Sequence, residues 1–83
     1  MKEELIKFTE ELVSYLVSDA DMVKVQDFLD DDGNIILEIM VPEADMGRVV
    51  GRNGKNIQAI RTLIQATAYN KGLKRVKINV DAF

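Results

Sequence analysis

The residues with the clearest chemistry sit together in mid-chain, in Val49-Val50-Gly51-Arg52-Asn53-Gly54-Lys55-Asn56-Ile57-Gln58-Ala59-Ile60. Two glycines flank two polar residues, and an apolar pattern at helical spacing begins directly behind them. A turn of this kind brings backbone N–H groups to the surface at a helix N-terminus, where the dipole favours an anion. Arg52 can fork two donors onto one phosphate, and Lys55 adds a compact charge where the helix starts. A nucleic-acid backbone, with one phosphate per nucleotide, matches that chemistry. The composition argues against catalysis: the chain has no histidine and no cysteine, which removes the commonest general base and any thiolate ligand. Its carboxylates fall on a helix surface and in a turn, with no nucleophile beside them. An enzyme is not expected, and neither is a cofactor or a bound metal.

Spacing separates the glycine loops that bind phosphate. A P-loop requires G-x-x-x-x-G-K-[ST] behind a strand; here Val49 stands where its first glycine belongs and Asn56 where its hydroxyl belongs. A dinucleotide fingerprint requires G-x-G-x-x-G between strand and helix, whereas Gly47, Gly51 and Gly54 are spaced four and three. What remains is helix–G-x-x-G–helix. The acidic run Asp30-Asp31-Asp32-Gly33 invites a calcium loop. Aligning Gly33 with the EF-hand glycine, however, puts Phe28 at the first ligand position and Ile39 where the last, a glutamate, is needed. Hairpin turn chemistry explains that run instead.

The elements that position the glycine turn follow from periodicity. Residues 2–18 carry Leu5, Phe8, Leu12 and Tyr15 or Leu16 at helical spacing, widened by Ile6, Val13 and Val17, and predict an amphipathic helix. Ser18-Asp19-Ala20-Asp21 breaks the pattern. Met22 to Leu29 reads as a strand, Asp30 to Asn34 as a turn, and Ile35 to Val41 as the most strand-like run of the chain. Pro42 closes it, because proline cannot donate to a ladder. A short helix is expected from Glu43 to Val49, then the turn, then a long helix from Lys55 to Lys71. Gly72 suits the position just past its end. Arg75 to Val80 alternates as a strand. The order is α-β-β-α-α-β, and a three-stranded sheet covered on one face by helices is the simplest α+β architecture that buries every apolar stripe.

Charge is divided along the chain. The net is −3, but residues 1–45 hold three Lys/Arg against thirteen Asp/Glu, a net of −10, and residues 46–83 hold eight against Asp81 alone, a net of +7. Two consequences are open: the halves neutralise each other in the fold, or the basic half meets an anionic partner. Eighty-three residues make one domain. No run approaches the roughly 18 apolar residues that span a bilayer, and Met1-Lys2-Glu3-Glu4 is no signal peptide, so a cytoplasmic location is expected.

The run from Val49 to Ile60 resembles the signature of KH domains, V-[IV]-G-[KR]-x-G-x-x-I-x-x-[IL], and the element order is similar to their type II arrangement. The similarity extends over nearly the whole chain, as a single KH domain at 1–83 of the small bacterial single-KH (KhpA) kind. That resemblance implies binding of single-stranded RNA, with the backbone against the G-x-x-G loop and bases in an adjoining apolar groove. It assigns the RNA backbone to Gly51, Arg52, Asn53, Gly54 and Lys55. Asn53 either hydrogen-bonds a phosphate or simply accepts the turn geometry. Arg48 stands at the rim or pairs with an acidic residue of the first half. Val50 and Ile57 either wall the groove or belong to the core, and Ile36, Ile39 and Met40 share that ambiguity. Arg61, Lys71, Lys74, Arg75 and Lys77 extend the electrostatic track or are solvated surface. The resemblance further implies an RNA chaperone or post-transcriptional regulator linked to cell elongation and division. It also implies a homodimer and pairing with a larger KH protein, KhpB (Jag/EloR). A rival reading is a subunit that uses the fold mainly to dock such a partner. The long helix offers two apolar faces for pairing, Ile57/Ile60/Ile64 and Ala59/Leu63/Ala66.

Overall fold

The computed structural model describes residues 2–73 and 75–83; Lys74, named above among the basic residues, lies outside them. The elements are α1 (Lys2–Ser14), β1 (Lys24–Leu29), β2 (Ile35–Val41), α2 (Met46–Val50), α3 (Lys55–Asn70) and β3 (Val76–Ala82), with single 3-10 turns at Ala20–Met22, Glu43–Asp45 and Arg52–Gly54. This is the α+β order expected.

In the sheet β2 is central, antiparallel to β1 and parallel to β3. Alternation sends Leu37, Ile39 and Val41 of β2 and Val76 and Ile78 of β3 into the core beneath the helices. Ile36 and Met40 point to the opposite, half-covered face, where Phe28 opposite Ile36 remains 48% exposed. Two parallel neighbours cannot be joined by a tight turn. The connection from β2 to β3 must cross over, and α2, the glycine turn and α3 are that crossover.

Helix α1 differs from its expected form in length and facing. It ends at Ser14 rather than Ser18, where the Ser14 hydroxyl donates to the Glu11 carbonyl (2.6 Å) and Leu16 N–H closes a tighter turn onto Val13 (2.9 Å). Its buried line is Leu5, Thr9 and Val13, while Tyr15 is 88% exposed. Thr9 can lie in the core because its hydroxyl donates to the Leu5 carbonyl at 2.8 Å, leaving no unmet polar atom. Strand β1 starts two residues later than expected, since Asp19 caps a 3-10 turn by accepting the Asp21 N–H (3.0 Å). Strand β3 runs two residues further than expected, because β2 offers it a partner as far as Val41.

Helix α3 buries Ile57, Ile60, Ile64 and Ala68. Its end at Gly72 is a Schellman motif, with Leu73 N–H on the Ala68 carbonyl (2.9 Å) and Gly72 N–H on that of Tyr69 (3.1 Å). Lys71 near its end meets Glu4 near the start of α1 at 2.6 Å, so the two helices lie antiparallel.

Candidate nucleic-acid interface

The glycine turn is built by three residues in left-handed backbone. Gly51 has φ 78° and ψ 171°, Asn53 φ 57°, and Gly54 φ 75°. The combination at Gly51 is open essentially to glycine alone. An asparagine tolerates the left-handed region better than most side chains, which accounts for Asn53 by the turn-geometry reading. The turn is closed by Gly54 N–H on the Gly51 carbonyl (3.1 Å), and Gly51 N–H ends α2 on Gly47 (2.9 Å). At the tip, the N–H groups of Arg52 and Asn53 take no acceptor among the described residues.

The two glycines have different surroundings. A Cβ on Gly51 would stand 2.6 Å from Asn56 Cγ and 2.8 Å from the Asn56 backbone nitrogen. Gly51 therefore lets α2 and α3 meet closely, and its bare face is already filled by protein. At Gly54 the nearest atom to such a Cβ is Ile57 Cγ2 at 3.9 Å, so that side of the turn is open to an incoming chain.

The cations divide in the same way. Arg52 and Lys55 are exposed and make no ion pair among the described residues. Arg48 Nη1 lies 3.4 Å from Asp45 Oδ1, with the Arg48 side chain still 61% exposed. Asp45 itself is buried and accepts from the backbone N–H (3.3 Å) and hydroxyl (3.1 Å) of Ser18. Further away, Lys71 is paired with Glu4, Lys77 faces Asp30 at 3.7 Å, and Arg61 Nε donates to the Ile78 carbonyl at 3.3 Å. The Lys71 ammonium, hydrogen-bonded to Glu4, holds the Glu4 carboxyl below the usual carboxylate range. Of the basic residues considered as an extended track, Arg75 is exposed and takes no ion pair among the described residues.

The apolar candidates separate by burial. Ile57 is 6% exposed and packs into the core, as does Ile39. Val50 is half-buried against it and keeps an accessible side. Ile36, Ile39 and Met40 do not form one surface: Ile39 lies under the helices, and the other two are on the far side of the sheet. Beside the turn, Leu12, Tyr15, Leu16, Ala59, Ile60 and Leu63 line an apolar hollow of about 200 Å³ between α1 and α3, with Asn56 at its edge. The two faces of α3 are thereby told apart. The isoleucine face is internal, and Ala59, Leu63 and Ala66 look outward.

Two residues that sequence reasoning passed over support the turn. Asp45 reads as one more carboxylate of an acidic stretch, and only burial singles it out. Asn56 had a local signal, a short amide in the first turn of a helix, a place where such side chains reach back to main-chain groups.

The sequence model of the family described as "KhpA/KhpB, KH domain" matches residues 6–80. This chain belongs to that family. Among its relatives, the RNA-binding protein KhpA of Caldanaerobacter subterraneus subsp. tengcongensis is 42% identical over 65 residues, covering 78% of this chain and 84% of the relative. The RNA-binding protein KhpA of Borreliella burgdorferi is 38% identical over 77 residues, 93% of this chain and 88% of the relative. Among solved structures, Era bound to MgGDPNP and nucleotides 1506–1542 of 16S ribosomal RNA superposes with a TM-score of 0.66 at 18% identity, over 95% of this chain and 30% of Era. Aquifex aeolicus Era bound to GDP and an aluminium fluoride gives 0.65, with the same identity and coverage. At that identity Era shares the fold alone. Among the described residues no helix is long and apolar enough to cross a membrane, and no group of three potential metal ligands comes together.

Proposed function

We propose that this protein binds single-stranded RNA, seating the sugar–phosphate backbone on the Gly51–Gly54 turn. The observation that carries the reading is the tip of that turn. There two N–H groups with no acceptor and the exposed Arg52 and Lys55 with no carboxylate partner, all among the described residues, converge with the open side of Gly54. Curated relatives named as RNA-binding proteins support it. Arg52, Asn53, Gly54 and Lys55 hold the backbone, Gly51 shapes the turn by letting α2 and α3 meet, Arg48 adds charge at the rim, and Val50 offers an apolar edge to a base. Ile57 contributes from beneath, as the core residue that seats the start of α3.

The KH module over 1–83 works in the cytoplasm, as an RNA chaperone or post-transcriptional regulator tied to cell elongation and division. One module makes few contacts, and pairing raises affinity by effective concentration. A homodimer, or a heterodimer with the larger KH protein KhpB, supplies the second module. The hollow between α1 and α3 with Leu63 48% exposed supports this. It equally favours the rival reading, a subunit that chiefly docks a partner.

Arg52→Asp/Asn53→Asp sets two negative charges against the phosphates and keeps both glycines. RNA affinity falls at least tenfold, roughly the worth of one reversed charge contact and one added negative charge, while the mass by sedimentation is unchanged. Leu63→Glu gives the opposite pattern, a smaller mass with the turn intact. Unchanged RNA binding in the double-aspartate variant would overturn this reading and support the docking one.

A further inference from the structure

Asn56 lies behind the glycine turn, two residues into α3, and its side chain points back across the base of the turn. Nδ2 donates to the carbonyl of Arg48 at 2.7 Å. That carbonyl belongs to the last turn of α2, whose final carbonyls have no partner within the helix. The same side chain fills the space that a Cβ on Gly51 would need, with Cγ 2.6 Å and Cβ 2.8 Å from that point. One residue on the outgoing helix therefore grips the incoming helix at two places, by a hydrogen bond at Arg48 and by packing at Gly51. Arg48 is held from its other end, since its side chain meets Asp45, which accepts from Ser18. Inside the turn, by contrast, only main-chain bonds act, Gly54 N–H on the Gly51 carbonyl and Lys55 N–H on the Arg52 carbonyl. Two of the turn's four residues are glycines, the least restricted backbone, so the direction of Arg52 and Asn53 depends also on how the flanking helices are held together.

We infer that Asn56 is a positioning residue for the phosphate grip: its amide locks α2 to α3 beneath the turn and thereby sets the direction of the Arg52 and Asn53 N–H groups. It acts through the turn and makes no contact with RNA. The inference rests on the RNA-binding reading above. The role requires a short side chain with a donor. Alanine has neither reach nor donor, and an ionised aspartate sets acceptor against acceptor at the Arg48 carbonyl. A threonine hydroxyl keeps a donor.

The test uses the full chain, a labelled eight-nucleotide single-stranded RNA as probe, and amide hydrogen exchange at residues 51–54 in the absence of RNA. Asn56→Ala speeds exchange at the turn and weakens RNA binding about tenfold, the equivalent of ordering roughly one residue's backbone at the moment of binding. Asn56→Thr, whose hydroxyl is one bond shorter than the amide, recovers part of both. A role in stability alone would lower the melting midpoint without altering either quantity in the folded chain, and that pattern overturns the inference. So does RNA binding by Asn56→Ala within twofold of the wild type when Arg52→Asp/Asn53→Asp has lost it. Should Asn56→Ala not fold, Asn56→Thr against Asn56→Asp decides: faster turn exchange in the aspartate variant alone supports the inference, and equal exchange in both refutes it. Failure of the RNA reading itself shows separately, as wild-type binding by the double-aspartate variant, and the inference then falls with it.

Discussion

At the residue scale the two glycines of the turn do different work, and substitution separates them. Gly51→Ala combines a backbone conformation that costs roughly 1–3 kcal/mol for a side chain with a Cβ pressed onto Asn56. The close atoms include the Asn56 backbone nitrogen at 2.8 Å, so rotation of a side chain cannot relieve the contact. Gly54→Ala meets only Ile57 Cγ2 at 3.9 Å and bears the left-handed penalty alone, about 1–2 kcal/mol. Urea denaturation is expected to show Gly51→Ala as the more destabilised of the two. RNA affinity is expected to fall in both, at Gly54 because the new methyl stands on the open side of the turn. Equal stabilities would mean that α2 and α3 can part without cost at Gly51.

At the scale of elements, the β1–β2 hairpin depends on one carboxylate. Asp30 accepts the N–H groups of Asn34 (2.8 Å) and Asp32 (2.9 Å), with Lys77 of β3 at 3.7 Å. The Asn34 N–H, first among these, holds the Asp30 carboxyl below its ordinary range. A carboxyl with a depressed folded-state pKa binds protons more readily when unfolded. Its stabilisation is complete at neutral pH and is lost as pH falls from about 4, the ordinary aspartate range, through the folded-state value. The melting midpoints of the wild type and Asp30→Ala are therefore expected to differ at pH 7 and to converge in strong acid. A difference that persists unchanged at pH 2 would show that the turn does not rely on the charge. β1 is an edge strand paired only with β2 among the described residues, so a loosened hairpin should appear first as amide exchange in Lys24–Leu29.

For the whole molecule, the sharing of charge decides how RNA binding responds to salt. The acidic half neutralises cations far from the glycine turn: Glu4 takes Lys71 and Asp30 faces Lys77. Both lie toward the C-terminal end of α3 or beyond it, and a helix of 16 residues separates the turn from that end by about 24 Å. Beside the turn Arg48 meets Asp45, while Arg52 and Lys55 keep exposed charge with no ion pair among the described residues. With Arg52 and Lys55 as the two phosphate contacts, log affinity should fall with log salt at a slope near −1.4, or about sevenfold for a fourfold rise in salt. Titrations at several salt concentrations measure it. A slope steeper than about −3 would mean that the cations of the second half act together as a longer track.

The residue types and their spacing were enough to determine the element order, the limits of β2, and the turn as a helix–G-x-x-G–helix corner, because these follow from interactions within a few residues along the chain. Period-two alternation also bore on Ile39 against Ile36 and Met40, which cannot share a face of one strand. Other features waited for the tertiary structure. The line of α1 that is buried includes Thr9 and leaves out Tyr15, since packing across the sheet sets the rotation of a helix whose apolar stripe is broad. Only the fold showed that Asp45 lies buried against Ser18, that Lys71 and Lys77 are engaged by acidic partners, and that Asn56 occupies the bare side of Gly51. Each of these joins residues from separate elements, and separation along the chain carries no record of such contacts until the elements have packed.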